Sequence, residues 1–154
     1  MTKIRYRAFD KHMKAMGEVT SIRFFDHVYD QVSVRFNING KKIDENYNVG
    51  YDGCDNITLM QDTGLKDKNG ANIFGGDILR SENFSYTGTY GYAVIRFGEY
   101  EDTDFVDDSG YCSSGVGFYA TLTRTKGIVG IERHMVATME IIGNIHDNPE
   151  LMEG

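Results

Sequence analysis

The best-grouped carboxylates in this chain are Asp102, Asp104, Asp107 and Asp108, set in an acidic stretch over residues 98–115. Hard oxygen ligands of this kind suit Ca²⁺ or Mg²⁺. The stretch lacks the alternating carboxylates, the following glycine and the distal glutamate of an EF-hand loop. A solvated acidic loop, or one that docks on a basic partner, is therefore favoured, and a metal-dependent enzyme using residues 99–108 is only a distant alternative. Asp67-Lys68-Asn69-Gly70 has some of the wording of a calcium loop, which a hairpin turn explains fully. His12, His27, His134 and His146 stand apart, with no HExxH or His-x-His spacing, so a zinc site would have to be assembled in three dimensions. Nucleophilic catalysis needs a serine or cysteine beside a base. Cys54 instead has Asp55 beside it and Asp52 two residues before it, which disfavour its thiolate. Gly75-Gly76 and the glycines from 110 to 117 lead into no Lys-Ser/Thr at the head of a helix, so neither forms a phosphate loop. No catalytic residue, cofactor or metal is assigned.

Binding chemistry has more to work with. Arg5-Tyr6-Arg7 and Arg23-Phe24-Phe25 place aromatic rings beside guanidinium groups, the makings of a stacking platform for single-stranded nucleic acid. Alternation along a strand sends the ring and the arginine to opposite faces, so a place in the core is the preferred reading for these rings. The interaction candidates are Arg5 and Arg7 near the start and Lys66, Asp67, Lys68 and Asn69 in the middle. The second group belongs to residues 59–78, the most specifically worded stretch of the chain. Its apolar run from Leu59 and Met60, its polar Lys66-Asp67-Lys68-Asn69-Gly70 and its resumption at Ile73 and Phe74 predict strand, turn, strand. Asn69-Gly70 is a strong turn signal because both residues tolerate positive φ.

The wording Leu59-Met60-Gln61, then Thr63-Gly64-Leu65-Lys66-Asp67-Lys68-Asn69-Gly70, Ile73 and Gly76-Asp77-Ile78 resembles the central signature of the YopX family of small phage and prophage proteins. Ile4-Arg5-Tyr6-Arg7-Ala8-Phe9-Asp10 and the stretch from Glu140 through Gly143-Asn144-Ile145-His146-Asp147-Asn148-Pro149 to Leu151 match the same family, so the resemblance brackets almost the whole chain. Phe9 departs from the family's usual tryptophan, and Asp62 stands where an aromatic residue is commoner. The resemblance implies a phage-encoded, cytoplasmic, self-associating protein of unknown biochemical role, and it brings no catalytic residue. The absence of catalytic spacing and the uneven charge add the expectation of an interaction protein whose partner is a host or phage protein.

A net charge of −7 argues against a dedicated nucleic-acid binder, whose affinity rests on neutralising phosphates. The charge is unevenly spread: residues 1–42 carry nine basic and four acidic side chains, the remainder seven and nineteen. A positive front and a negative back supply a charge argument for head-to-tail self-association. A nucleic-acid modulator working through the basic N-terminal lobe is the alternative. Cys54 and Cys112 share no metal or redox spacing and are expected to stay reduced. The first residues have no apolar core like that of a signal peptide, and no run reaches the ~20 apolar residues of a membrane span. The expected place is therefore the cytoplasm of the bacterial host cell, away from membranes.

The chain of 154 residues, 40% hydrophobic with 18 glycines and one proline, predicts a mainly β fold, α+β at most. Ile4, Tyr6 and Ala8 alternate with Lys3, Arg5 and Arg7, and Val32, Val34, Phe36 and Ile38 with Ser33, Arg35 and Asn37, both at a period of two. Asn39-Gly40 then predicts a hairpin into residues 41–49. Residues 1–50 are expected to form an N-terminal antiparallel lobe with basic outward faces, residues 51–58 a connecting turn, and residues 59–154 the signature hairpin and a small SH3-like barrel with a short tail. Residues 91–97, apolar on both faces, predict a central strand, and residues 98–115 a long acidic loop. One or two short helices are expected, from about Ile131 and at Asn148-Pro149.

Overall fold

Two strands of strict alternation meet at Asn39 and Gly40, whose φ values of 53° and 78° form the mirror-image two-residue turn that suits the right-handed twist of a hairpin. In the computed structural model, which describes residues 3–25, 30–50, 56–81, 92–106, 112–123 and 126–153, that turn joins β3 (Asp30–Ile38) to β4 (Lys41–Val49) in unbroken register from Ile38↔Lys41 to Asp30↔Val49. Before them come β1 (Tyr6–Asp10) and β2 (Ala15–Arg23). After them comes β5 (Ile57–Lys66), which returns to pair with β1. The chain divides into two compact units, Met1–Asp62 and Thr63–Gly154, and the division falls within β5. Of the expected connecting turn, residues 51–55 lie outside the described residues, and Ile57 and Thr58 are the first residues of β5.

In the first unit the strands run β4-β3-β2-β1-β5. Ala8, Val32, Val34, Phe36 and Ile57 are buried together, and the described residues of this unit contain no helix to cover them, so the sheet must coil over its own core. One hydrogen bond measures the roll. Tyr47 of β4 donates its hydroxyl proton to Asp10 of β1, although these strands are three places apart in the sheet. The register sets Tyr47 opposite Val32 and hence level with Ile22, whereas Asp10 lies opposite Ala15, seven residues away along β2. In a flat sheet the two positions would be on the order of 25 Å apart, from strand spacings of about 4.8 Å and a rise of about 3.3 Å per residue. Strong coiling closes that gap. Gly17 and a bulge between Val19 and Ser21 accommodate it on β2. A Cβ at Gly17 would stand 2.5 Å from Val34 Cγ1 and 2.8 Å from the Phe36 ring.

The outward face of this unit is not basic, contrary to expectation. Arg7, Glu18, Arg35 and Asp44 lie in register across four strands with alternating sign. Arg35 donates twice to Asp44, at 2.7 and 3.0 Å. With its boundary after Asp62, the unit carries nine basic and nine acidic residues, leaving seven basic and fourteen acidic in the second. The basic excess of residues 1–42 is thus offset by the acids of residues 43–62, of which Asp44 and Glu45 lie on β4 and Asp62 on β5.

The second unit contains β6 (Asn72–Phe74), which continues the first sheet beyond β5, and a five-stranded antiparallel sheet in the order β10-β9-β8-β7-β11. Its members are β7 (Asp77–Ser81), β8 (Ala93–Val106), β9 (Cys112–Leu122), β10 (Ile128–Gly130) and β11 (Met139–Asn144). Ile73, Leu79, Ala93, Ile95, Ala120, Leu122 and Met139 form the core with Val136 of the single-turn helix α1 (Arg133–Val136). A 3₁₀ turn follows at Pro149–Met152. The mainly β expectation, the central place of β8 and the short helices hold. The long acidic loop does not: residues 98–106 continue β8, with Glu99↔Val116, Tyr100↔Gly115 and Glu101↔Ser114 in register with β9. Acidic composition hid a ribbon whose backbone groups are paired across the strands.

Tyr47→Phe removes the donor that spans the roll and is expected to lower stability at pH 7 by about 1–3 kcal/mol in urea unfolding. Burial works to raise the Asp10 pKa, but hydrogen bonds from Tyr47 and the Met13 and His12 amides outweigh it and hold the carboxyl below its ordinary value. The stability this gives is complete above the unfolded pKa and is lost as pH falls through the folded one. The Tyr47→Phe penalty should therefore shrink on acidification through the lower carboxylate range; a penalty unchanged there would refute the ionic clasp.

Candidate interaction surface

Asp67 opens the turn of the signature stretch and is buried. Its Oδ1 accepts the amides of Asn69 and Ala71, both at 2.9 Å, and its Oδ2 accepts the Ile141 amide of β11 at 3.2 Å. Its own amide donates to the Ala71 carbonyl, and the Lys68 amide donates to that of Met139. One carboxylate thus shapes the turn and fastens it to the closing strand. Burial tends to raise its pKa, and the Ala71, Ile141 and Asn69 amides overcome this and lower it. Of the turn pair, only Gly70 has positive φ, at 80°; the expected two-residue geometry is replaced by a longer turn wrapped around the Asp67 side chain.

The neighbouring interaction candidates surround this anchor. Lys68 Nζ lies 3.1 Å from Glu140 Oε2, which Arg80 Nη2 also approaches at 3.4 Å. Lys66 is exposed and donates to the Gly70 carbonyl at 3.1 Å, and the Asn69 side chain is exposed. Arg5 is exposed on the first unit, where its carbonyl accepts the Asp62 amide, and Arg7 is half-buried opposite Glu18. The six candidates therefore fall into two sets on separate units.

Two other signature positions serve turns as Asp67 does. Asp77, fully buried, accepts the Phe74 amide at 2.8 Å. Asn144 Oδ1 accepts the His146 and Asp147 amides at 3.0 Å, and its Nδ2 donates to Asp147 at 2.8 Å. Asn148, expected to cap the following turn, makes no side-chain capping bond; its Oδ1 accepts the Asn144 amide instead. A Cβ on Gly143 would collide with that side chain.

Of the four metal candidates, Asp102 alone has a described side chain. Asp102 is buried, and its Oδ2 accepts the Gly130 amide at 3.2 Å, while the adjacent Thr103 Oγ1 accepts the Ile128 amide at 2.8 Å. Both serve the outer side of β10. Asp104 lies in β8, and Asp107 and Asp108 lie outside the described residues, as do His27 and Cys54. Among the described residues no three His, Cys, Asp or Glu side chains cluster as metal ligands, and no helix is long and apolar enough to cross a membrane.

What the sequence reading missed is apolar and exposed. Phe24 and Phe25 are 80% and 51% exposed rather than in the core, because β2 ends at Arg23 and alternation no longer governs them. Phe97 and Val116 are 61% and 74% exposed. Phe97 lies opposite Phe118, with the rings edge to face at 5.0 Å, and Glu99 lies opposite Val116, so these four share one face of the ribbon. β7 pairs with β8 only at Ala93 and Val94, so it does not extend beside Phe97. The signal available in sequence was the pair of mirrored segments, Arg96-Phe97-Gly98 and Gly117-Phe118-Tyr119, which pair antiparallel with Phe97 opposite Phe118. On the opposite face Tyr100 and Tyr119 stack at 5.4 Å.

Two antiparallel sheets, with signature side chains built into the turns that shape them, define a mainly β protein of two compact units. The profile of the YopX protein family matches residues 5–153, and the chain belongs to that family. The crystal structure of protein EF1440 from Enterococcus faecalis is similar over 99% of this chain and 100% of its own, with 26% identity and a TM-score of 0.58. No curated protein matches the chain.

Asp67→Ala would take the acceptor from three amides, those of Asn69, Ala71 and Ile141, and is expected to cost about 1–3 kcal/mol in urea unfolding, whereas Lys68→Ala should cost less than about 1 kcal/mol. A mild Asp67→Ala would show that the turn does not depend on its carboxylate. Because its folded pKa is lowered, the Asp67 contribution should be complete above the unfolded carboxylate pKa and fade as pH falls through the folded value.

Proposed function

We propose that this protein is a phage- or prophage-encoded accessory factor that acts in the host cytoplasm by binding protein, and that it does so as a homo-oligomer. The observation that carries this reading is the contiguous apolar face of the ribbon, with Phe97 and Val116 61% and 74% exposed beside a half-buried Phe118. Contiguous apolar surface of this kind is a feature of association sites. The signature carboxylates Asp67 and Asp77, by contrast, are buried and accept backbone amides. The membership in the YopX family agrees with this reading without specifying a partner.

A nucleic-acid modulator is the second reading, favoured by one observation: Phe24 is 80% exposed next to Arg23, where a base could stack on its ring. The equal numbers of acidic and basic residues in that unit weigh against it.

The native mass of the untagged protein, taken from host lysate at low and at high salt, tests both. A discrete multiple of 17.4 kDa that persists at high salt is the expected result. A 17.4 kDa monomer under both conditions overturns the oligomer, and co-purifying nucleic acid released by salt transfers support to the second reading.

A further inference from the structure

The core face of the second unit runs on past the core. Ala93 and Ile95 of β8 are buried on that face, with Leu122 and Ala120 of β9 opposite them. The same alternation carries it to Phe97 opposite Phe118, then to Glu99 opposite Val116 and Glu101 opposite Ser114. There the cover ends. Phe97 and Val116 are 61% and 74% exposed, and Glu99, Glu101 and Ser114 are exposed with them. The side of β8 away from β9 is open along the same stretch: β7 pairs with β8 only at Ala93 and Val94, and among the described residues no other strand joins it there.

The charge on this stretch is of one sign. Residues 97–118 include Glu99, Glu101, Asp102, Asp104, Asp107 and Asp108 and no lysine, arginine or histidine. Asp102 accepts the Gly130 amide, and the one basic residue of β8, Arg96, lies on the other face opposite Tyr119. Glu99 and Glu101 form no ion pair among the described residues. Another copy is a poor occupant for such a face. Its ribbon would repeat the same charges, and its first unit, with as many acids as bases, has no basic excess to offer.

Resting on the protein-binding part of the reading above, we propose that the ribbon takes an extended basic segment of another protein, paired along the open side of β8. Strand addition of this kind draws affinity from the backbone and specificity from alternate side chains. Those on the core face are an apolar one beside Phe97 and a lysine or arginine beside each of Glu99 and Glu101.

NMR of the isotope-labelled full chain tests this, the amide shifts being followed as an unlabelled peptide is added. The probe is Phe-Thr-Lys-Thr-Lys-Thr-Phe, which presents the same side chains in either strand direction, beside counterparts with Glu or Ser in place of Lys. The lysine peptide is expected to shift the amides of residues 97–101 saturably. It should bind at least about tenfold more tightly than the glutamate peptide, because each exposed ion pair contributes up to about fivefold and each like-charge pair costs a similar factor. Added salt should narrow that difference. E99K/E101K should reverse the order in favour of the glutamate peptide, whereas damage to the fold would weaken every peptide alike.

Equal affinities for the lysine and glutamate peptides, a preference that folded E99K/E101K leaves unchanged, or lysine-dependent shifts confined to other residues overturn the proposal. If the serine peptide binds the ribbon as well as the lysine peptide and V116S releases both, apolar contact alone binds protein: the charge selection fails and the parent reading survives. No shift at the ribbon with any peptide defeats the proposal. If F97S/V116S then also leaves every protein that co-purifies from host lysate in place, the ribbon's role in protein binding falls with it.

Discussion

The hydrogen bond from Tyr47 to Asp10 marks the constraint on which the first unit depends: with no helix among its described residues, its sheet must become its own cover. Val32, Val34 and Phe36 leave water only if the strands coil until β4 approaches β1. Gly17 leaves room for Val34 and Phe36 where a side chain would obstruct them. Asp10 also accepts the His12 and Met13 amides, so the carboxylate that closes the roll shapes the turn from β1 into β2. Local and global structure agree at that residue, as a foldable sequence requires.

The second unit repeats this economy at other places. Asp67, Asp77 and Asn144 each satisfy amides in a turn, and Asp67 also reaches β11. Buried carboxylates are costly unless they are hydrogen-bonded, which ties these residue types closely to their positions. The most specific wording in the chain therefore describes how it is built. Large exposed apolar side chains lie elsewhere, among them those on the ribbon and at the end of β2, where composition alone attracts little notice.

What could be read from sequence follows the same division. The β3–β4 hairpin was legible because strict alternation and Asn39-Gly40 are local signals that agree. The mainly β class and the place of β8 followed from periodicity. The outer half of the ribbon was not legible: Glu99, Glu101 and Asp102 resemble loop residues until β9 supplies their partners. Nor was the role of Asp102, which depends on Gly130 lying 28 residues later. Phe24 and Phe25 were misplaced because alternation says nothing about where a strand ends. The charge asymmetry misled for a related reason, since Asp44 folds back onto Arg35 only once the hairpin forms.

The capping of β10 by Asp102 and Thr103 bears on how the protein behaves when concentrated. β10 is an edge strand, and the amides of Ile128 and Gly130 are those that another chain's strand would use to extend the sheet. Side chains from the protein's own ribbon already occupy both. Short as it is, β10 thus offers a poor template for runaway strand addition. The Asp102 carboxylate takes one of the two edge amides that such an addition would need.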